Sequence, residues 1–498
     1  MKRFLLIPLF TGLSLALHAQ YAGDALRFSQ TQPGSTARFS AIGNAHTGIG
    51  GDLSSFGGNP AGLAFFTKSE ANVSFEFNNY NNSANYLNTY STGTQDRLNM
   101  NQGGVVFYIP AFRPKGSDLD QGWVSFTTGL SYNRHADFGN NLLYTGTNPT
   151  NSIADYFAEL ATTNYGGNNL PIGSLELMAE DANLIGYDPG VPGDPTKPPY
   201  YFPKTDVNNI QTKNEDRRGG QTQVNMSFAA NYSNKFYLGL NLGFAGINYT
   251  SNSGYSEKGF NVTENSNYQA SFLQDQVTSG KGFNAKVGFI YKPNATFRFG
   301  ASFESPTWYQ IDDSYTEVLN SKYTDASLNY TNAAENYSFV YRLRTPLKLS
   351  GGLGIFFGNA GFISADVDMI DYSTIQFRGT NNLDLQTITD NNQDVFAAYK
   401  KTYNYRLGAE FKIDQISLRG GYGIQGNPYK NLPDASHTTK TYSGGLGYRV
   451  KNYYADLCFQ QVSSNASLKP YTLADGTAPT ALITGKKTNI FLTFGIRF

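Results

Sequence analysis

The sequence predicts an all-β protein, an antiparallel transmembrane β-barrel of about fourteen strands with an N-terminal plug, or hatch, inside the lumen. Three observations predict it: strands that alternate apolar and polar residues, connections that alternate short and long, and an unusual composition. Charged residues make up only 15% of the 498 residues, whereas aromatic residues make up 15% and glycines number 52. Typical globular proteins carry about 25% charged residues. Strands with one apolar and one polar face account for this mixture.

The first twenty residues are predicted to be a secretory signal peptide. Lys2 and Arg3 precede an apolar stretch from residue 4 to 17, and cleavage is expected near Ala19 or Gln20. The apolar stretch is too short for a membrane-spanning helix, which needs about 20 apolar residues. No later stretch is long enough, so we expect any membrane span to consist of strands.

Charge and cysteine content exclude several classes of protein. The 38 basic and 38 acidic residues give a formal net charge of zero without a basic block, so nucleic acid is not expected as a partner. The single cysteine, Cys458, excludes a disulfide framework within the chain, and we interpret it as a small strand residue.

Period-2 alternation recurs after residue 68, and residues 69–498 are predicted to form the barrel. In residues 236–244, phenylalanines and leucines alternate with Tyr237, Gly239, Asn241 and Gly243. Similar patterns occur in three further segments. These are residues 297–304, 363–369 and 403–411.

The links between these strands alternate in length, as in outer-membrane barrels, whose turns are short on one side and whose loops are long on the other. We expect five short turns, near residues 233, 292, 358, 412 and 451. The long links are predicted at 82–96, 136–217, 252–280, 313–334, 380–396, 427–437 and 464–484. The link at 111–121 departs from the rule, because it should be short and is about eleven residues long.

The last residues, 488–498, indicate how the barrel closes. Ile490, Leu492, Phe494 and Ile496 alternate with mostly polar residues up to the terminal Phe498. We expect this strand to pair with the first one, since a free edge is not tolerated in lipid. The alternative is an edge strand of a secreted β-domain, which leaves the loop alternation unexplained.

The long insertion at 136–217 is predicted to form an extracellular cap. Residues 153–165 and 173–187 read as short helices, and residues 188–203 as a loop rich in Pro and Gly. Either a mobile surface loop or a part in ligand gating is compatible with this pattern.

Residues 21–68 do not alternate and are rich in small residues, so we expect them to fold into the lumen as a plug. A barrel of about fourteen strands is wide enough for an aqueous lumen unless something fills it. Glycines on the inner face of the wall would leave room for the plug. Two pairs are candidates: Gly239 with Gly243, and Gly421 with Gly423.

Four blocks of sequence resemble one family. The segment ARFSAIGNAHTGIGGDLSSFGGNPAGLAFF, which contains Asn59, Pro60, Ala61 and Gly62, is similar to the N-terminal hatch of the FadL/TodX family of long-chain fatty-acid transporters and aromatic-hydrocarbon channels. The further matching blocks follow in the expected order. They are residues 280–306, residues 344–357 with 365–373, and residues 418–428.

This resemblance implies an outer-membrane channel of a Gram-negative bacterium that takes up hydrophobic small molecules. In that family, the ligand binds an apolar pocket, and a shift of the hatch lets it leave sideways near a kinked strand. The resemblance makes Asn59, Pro60, Ala61 and Gly62 the candidate ligand-gating residues, whereas a purely turn-forming role is the alternative. The insertion at 136–217 departs from the family pattern and leaves the position of an outer ligand groove open.

No catalytic or metal-binding constellation is visible, so we expect neither an enzyme nor a cofactor. His46, His135 and His437 lie far apart in the sequence without ligand spacing. Asp366 and Asp368 lie on one strand face and are expected to pair with inward arginines rather than act as an acid and base. The candidate arginines are Arg298, Arg406, Arg419 and Arg449.

The leading hypothesis is therefore passive uptake of fatty acids or aromatic hydrocarbons. The expected partners are a hydrophobic ligand, outer-membrane lipid and, during biogenesis, the barrel assembly machinery. The alternative is a binding or scaffold barrel that handles protein cargo, such as the barrel of type IX secretion. An enzyme such as a barrel phospholipase is a third reading.

Overall fold

The protein forms a closed antiparallel β-barrel of fourteen wall strands. The computed structural model describes residues 15–114, 118, 120–166, 169–379 and 385–498. Most of the predicted signal peptide lies outside these residues. Its last part, residues 15–20, begins the first helix.

Four of the wall strands are interrupted and consist of two β-strands each. In chain order the wall strands are β1 Glu70–Tyr86, β2 Thr89–Pro110, β3 Trp123–Asp137 continued by β4 Asn140–Asn148, β7 Asn209–Tyr232, β8 Phe236–Asn261, β9 Ser266–Tyr291, β10 Phe297–Glu304 continued by β11 Trp308–Tyr323, β14 Lys348–Phe356 preceded by β13 Glu335–Arg344, β15 Gly361–Asp371 continued by β16 Gln376–Gly379, β17 Lys401–Ile413, β18 Ile416–Gln425, β19 Thr439–Val450, β20 Tyr453–Leu468 and β21 Ala481–Arg497. Outside this series lie the hairpin β5 Ile185–Asp188 and β6 Tyr200–Pro203, and the two-residue strand β12 Tyr330–Thr331.

The described helices belong to the N-terminal segment and to the loops at one end of the barrel. They are α1 Leu15–Ser29, α2 Ala37–Ala41, α3 Ile153–Tyr165, α4 Leu175–Asp181, α5 Leu385–Ala398 and α6 Asp434–His437. Short 3-10 helices occur at Leu53–Phe56, Pro60–Phe65, Ala326–Leu328 and Tyr372–Thr374. Within the described part of the chain, no helix is both long and apolar enough to cross a membrane.

The last strand closes the ring, as predicted. β21 pairs with β1 over sixteen residue pairs, from Glu70 with Arg497 to Asn85 with Leu482. The outward residues of its lower half are exposed, and Phe498 N–H donates to the carbonyl of Ser69 at 2.9 Å. The closed ladder leaves no free edge at this seam.

An outward apolar band surrounds the end of the barrel that carries the short turns. On β8, the outward residues Phe236, Leu238, Leu240 and Phe244 are 40–55% exposed, whereas Tyr237 and Gly239 are buried. Above Phe244 the outward residues of β8 turn polar. The band is therefore about nine residues tall, which matches the 9–11 residues with which a tilted strand crosses a membrane.

The alternating pattern predicted which end has short turns, but it overestimated two loops. β1 and β2 continue to a tight turn at Leu87 and Asn88, so the predicted loop 82–96 is mostly strand. β8 and β9 run for 26 residues each and meet at residues 262–265, so the loop 252–280 is also mostly strand. These upper halves have polar outward faces and therefore lack the alternation that marks a strand in lipid.

The insertion is shorter than predicted, because β4 and the start of β7 extend the wall into it. The structured cap spans residues 149–208 and contains α3 as predicted. The second predicted helix, 173–187, is only α4, and the Pro- and Gly-rich stretch lies inside the hairpin of β5 and β6. The cap buries an apolar cluster against the upper wall, including Phe157, Leu184 and Phe272.

Candidate functional site

Residues 34–66 lie against the inward faces of wall strands from around the ring. Most of these residues are buried. The contacts come from six wall strands. They are Asn133 to Gly34 O (2.5 Å), Asn59 to Phe289 O (3.2 Å), His46 N to Asp366 (2.8 Å), Arg38 to Glu410 (2.8 Å), Ser443 to Ala41 O (3.0 Å) and Ala37 N to Thr493 (2.8 Å).

Glycines of the wall let the backbone of this segment approach the wall closely. Four glycines were predicted to do so, and two of them do. A Cβ at Gly239 would lie 2.2 Å from the carbonyl carbon of Pro60, and one at Gly421 would lie 2.1 Å from Gly43 N. Gly243 faces the wall side chains Gln223 and Asn284 instead, and Gly423 has no neighbour closer than 3.7 Å.

The motif Asn59, Pro60, Ala61 and Gly62 forms the start of a two-turn 3-10 helix that packs against β8 and β9. The buried side chain of Asn59 caps this turn, since its Oδ1 accepts from Ala61 N at 3.1 Å. Its Nδ2 donates to Thr47 O at 2.8 Å and to the wall carbonyls of Phe289 and Ala301. Asn59 therefore joins two turns of the segment to the wall.

A buried chain of ion pairs fastens the segment on the opposite side. Arg38 makes two hydrogen bonds to the Glu410 carboxylate, at 2.8 and 3.1 Å. Glu410 also accepts from Arg419 at 2.7 Å, and Arg419 donates to Asp456 at 2.6 Å. Buried charges are tolerated when they are paired and hydrogen-bonded in this way.

Asp366 and Asp368 were predicted to pair with inward arginines. Only Asp368 forms a close pair of this kind. Asp368 accepts two hydrogen bonds from Arg406, at 2.6 and 2.7 Å. Asp366 instead accepts from the backbone N–H groups of His46 and Thr47, both at 2.8 Å, and lies 4.0 Å from Arg406. Asp366 therefore binds the N-terminal segment to the wall, whereas Asp368 forms an ion pair within the wall.

The three histidines are widely separated. The ring of His46 stacks on Phe39 with 4.7 Å between centroids, and burial lowers the pKa of His46 to about 3. His135 is buried in β3, and His437 lies in α6. Among the residues that the structure describes, no cluster of His, Cys, Asp or Glu has the arrangement of a metal site.

Helix α1 fills an apolar space inside the upper part of the ring. Tyr21, Leu26 and Phe28 are buried in a cluster with wall residues. The edge of Tyr21 packs on Tyr341 and Phe377, with centroids 5.8 and 6.2 Å apart. The remaining apolar wall residues include Tyr249, Tyr309, Ile311, Leu343 and Ile370.

The third wall strand is kinked beside this cluster. The register between β3 and β7 shifts between Arg134 and Ala136, and the strand breaks between Asp137 and Asn140. At the break, the buried ring of Phe138 contacts Phe28 of α1, with centroids 5.7 Å apart. The kink and the apolar cluster are therefore in direct contact.

The kink leaves a gap in the backbone ladder of the wall. β2 and β3 pair only up to Gln102 and Asn133, and the described residues of β2, β3 and β4 form no further backbone pairs between them. Side chains span the gap instead, because Asn78 and Asn99 both donate to Asp137, at 2.8 and 2.9 Å. We call this opening, between residues 97–101 of β2 and 134–137 of β3, the wall gap.

The outer edge of the wall gap is apolar. The outward residues at its lower edge are Leu98, Met100 and Leu130, which are 73, 42 and 53% exposed. On the inner side lies a cavity of about 220 Å³ with a largely polar lining that includes Arg134, His135 and Asp137. The bulged His135 accepts a hydrogen bond from Gln32 N at 2.9 Å, so the N-terminal segment borders the gap.

Sequence reasoning missed α1, and although the family resemblance implied a sideways exit through a gap near a kinked strand, it did not place the wall gap in the chain. The spacing of Tyr21, Ala25 and Phe28 is the signal for a helix face, but the segment was interpreted as a plug of small residues. The bulge at His135 has no sequence signature, because bulges depend on the pairing with neighbouring strands.

Comparisons with known proteins find solved structures with a similar fold, but no matching family model and no similar curated sequence. No protein-family model matches the chain, and no curated protein sequence is significantly similar to it. Two solved structures align over 94% of the chain. A FadL homologue from Pseudomonas aeruginosa has a TM-score of 0.56 at 14% identity over 100% of its chain, and the toluene transporter TodX of P. putida has 0.53 at 12% identity over 99%.

Identities this low establish architecture and leave ligand and mechanism open. The alignment covers both partners almost completely, and the strand number and antiparallel closure agree with the sequence-based resemblance. The chain therefore has the same fold as the FadL homologue and TodX, at sequence identities of 14% and 12%.

Proposed function

We propose that this chain is a channel in the outer membrane of a Gram-negative bacterium. It admits hydrophobic small molecules, such as long-chain fatty acids or aromatic hydrocarbons, by diffusion. The observation that carries the proposal is the contact of Phe28 with Phe138, which joins the apolar α1 cluster to the strand break beside the wall gap.

The apolar cluster supplies the binding site in this proposal. Tyr21, Leu26 and Phe28 occupy the space against Tyr341, Leu343 and Phe377, so a ligand binds there when α1 gives way. Transfer from this cluster into the bilayer keeps an apolar solute out of water, which removes the main free-energy barrier to its passage. A watery pore offers no such advantage.

The N-terminal segment, residues 21–68, acts as the hatch. Asn59, Pro60, Ala61 and Gly62 hold it against β8 and β9, and its other end borders the wall gap at His135. Movement of the segment would change the hydrogen bond from Gln32 to His135 and widen the gap. In this view the turn-forming and gating roles of Asn59 are the same role.

A place in the outer membrane also requires that the chain is exported and then inserted into that membrane. A signal peptide of residues 1–20 directs the chain across the inner membrane, and the barrel assembly machinery inserts residues 69–498. The apolar band then faces outer-membrane lipid, and the end with the short turns faces the periplasm.

The test is uptake of labelled fatty acids and alkylaromatics by a deletion strain that carries wild-type protein, Asn59→Ala or Asn248→Ala. We expect wild-type protein to restore uptake, Asn59→Ala to lower it several-fold, and Asn248→Ala, an outward polar residue of β8, to leave it unchanged. Equal uptake with and without the gene would contradict transport. Co-purification of secreted proteins without any apolar ligand would favour the alternative of a protein-handling barrel.

A further inference from the structure

One sector of the outer surface carries a group of basic side chains directly above the apolar band. These residues are Lys281 of β9, Arg342 and Arg344 of β13, Arg378 of β16 and Lys401 of β17. We call them the basic sector. They lie on neighbouring wall strands, which are about 4.8 Å apart, so the sector is roughly 20 Å wide.

Strand register places these side chains outward. Trp308 is 48% exposed and pairs directly with Phe283 of β9 and with Arg344 of β13. Directly paired residues of an antiparallel ladder share a face, so Arg344 lies on the outer surface with Trp308. The intervening residues Tyr341 and Leu343 are buried on the inner face.

Two of the arginines face each other without an anion between them. Arg342 pairs directly with Arg378, and like charges in this position repel. Among the described residues, none of the five cations forms an ion pair, and Arg378 makes only a 3.4 Å hydrogen bond to Gln376.

Acidic residues only partly offset this charge. Among the described residues of the sector, Asp312 and Asp371 are the carboxylates that face outward, two against five cations. Asp371 pairs directly with Lys401 across the ladder and also accepts from Ser373 N and Oγ at 3.1 and 2.6 Å, so its charge offsets Lys401 and not the arginines. The sector therefore keeps a net positive charge.

Elsewhere on the circumference, the described strands carry no such group of basic residues immediately above the band. The first outward polar residues above the band elsewhere are mainly neutral or acidic, and the one lysine among them stands alone on its strand. They include Asn79 of β1, Asp96 of β2, Asn248 of β8, Lys440 of β19, Gln461 of β20 and Thr488 of β21. A local sector, rather than a uniform belt, indicates a ligand of defined size.

Immediately below the basic sector the surface is apolar. Phe283, Trp308, Leu347 and Leu349 are 38–48% exposed and point to the same side as the arginines. A ligand that satisfies both surfaces has an anionic head level with the arginines and acyl chains along the band.

We propose that the basic sector binds the phosphorylated headgroup of an outer-leaflet glycolipid of the lipid A type. This inference rests on the membrane placement in the proposed function. Arg342 and Arg378 together chelate one phosphate, since guanidinium groups match phosphate oxygens in pairs. The phosphate removes their mutual repulsion, and the acyl chains pack on Phe283, Trp308 and Leu349.

The test measures lipid binding to the full mature chain in detergent by native mass spectrometry. Wild-type protein, Arg342→Gln/Arg378→Gln and the control Lys440→Gln/Lys486→Gln are each titrated with lipid A, dephosphorylated lipid A and inorganic phosphate. We expect the arginine variant to bind lipid A about thirtyfold more weakly, at roughly fivefold per basic side chain near an anionic lipid surface. The control is expected to bind as wild type does.

Equal lipid A binding by the arginine variant, or equal binding of the dephosphorylated lipid, would overturn the proposal. Saturation by inorganic phosphate at the same concentration would also overturn it, because the site would then recognise a free anion. Hydrocarbon uptake is measured in parallel with the same variants. Absence of uptake with wild-type protein contradicts the channel, whereas equal lipid A binding by wild type and the arginine variant, with normal uptake, contradicts only the glycolipid site.

Discussion

At the scale of single residues, close backbone approach explains why particular glycines and one asparagine hold the N-terminal segment. Gly239 touches Pro60, Gly300 touches Thr47, and the side chain of Asn59 bonds to both the segment and the wall. The Asn-Pro-Ala-Gly motif and the glycine of β8 were recognisable in the sequence. The buried chain from Arg38 through Glu410 to Asp456 was not, because its members lie hundreds of positions apart.

The contact at Gly239 gives the first prediction. Gly239→Ala places a methyl group 2.2 Å from the carbonyl carbon of Pro60, so the segment must shift from the wall. We expect a loss of about 1–3 kcal/mol in stability, as for other overpacked sites. Thermal unfolding in detergent and limited proteolysis of residues 21–68 measure this loss.

Gly246→Ala on the same strand is the matched control. A Cβ there would lie 3.6 Å from Thr222 Oγ1, an ordinary contact, and no loss is expected. Identical unfolding and proteolysis of the two variants would show that the approach at Gly239 does not hold the segment.

At the scale of elements, the sequence predicted strands well in the apolar band and poorly above it. In residues 236–244 the alternation marks the face that meets lipid, and the structure confirms it. Residues 245–261 continue the same strand with polar side chains on its outer face, so periodicity vanishes although the ladder persists. The predicted limits of helix α3 were correct, because its apolar face packs in the buried cluster between the cap and the upper wall.

Helix α1 is expected to compete with apolar ligand for one space. Phe28→Ala removes the contacts of this ring with Phe138 and Tyr249 and weakens the docking of α1 by about 3–5 kcal/mol. We therefore predict tighter binding of a fluorescent fatty acid to the purified variant, measured by titration.

Ile172→Ala is the control for this titration, since Ile172 is 98% exposed in the cap. Weaker fatty-acid binding by Phe28→Ala than by wild type would mean that Phe28 forms the binding site instead of blocking it.

One buried carboxylate makes several of the hydrogen bonds between the cap and the wall. Glu257 of β8 accepts hydrogen bonds from Ile153 N at 3.1 Å, Gln211 at 2.8 Å and Tyr268 at 2.6 Å, and also from Ser152 and Tyr255. Glu257→Ala leaves these donors without their acceptor, and we expect α3 to lose roughly 3 kcal/mol of local stability. Hydrogen exchange of residues 153–165 should accelerate while β20 and β21 stay protected.

Glu264→Ala tests the specificity of that effect, because Glu264 makes a partly exposed ion pair with Lys204 at 2.9 Å. Such pairs contribute little to stability, so hydrogen exchange of residues 153–165 in Glu264→Ala should match that of wild type. Unchanged exchange in Glu257→Ala would place the attachment of the cap elsewhere.

At the scale of the whole molecule, strand count, closure and plug position follow from patterns that repeat along the chain. The wall gap does not, because it arises where a bulge of β3 at His135 lies beside a second bulge, at Asn101 of β2. The proposed path of a ligand from the α1 cluster to the bilayer depends on this gap and on α1, neither of which has a sequence motif. The architecture was therefore predictable, and the path through it required the structure.

The measurement that tests the account most directly closes the wall gap by a reversible cross-link. In a Cys458→Ser background, Asn99→Cys with Asp137→Cys spans the gap, where the native side chains are 2.9 Å apart. Ser83→Cys with Thr92→Cys, a directly paired position of β1 and β2, is the control. An added oxidant that converts the two thiols to a disulfide should abolish hydrocarbon uptake only in the first pair, and a reductant that returns the thiols should restore it. Full uptake through the cross-linked gap would contradict the sideways route.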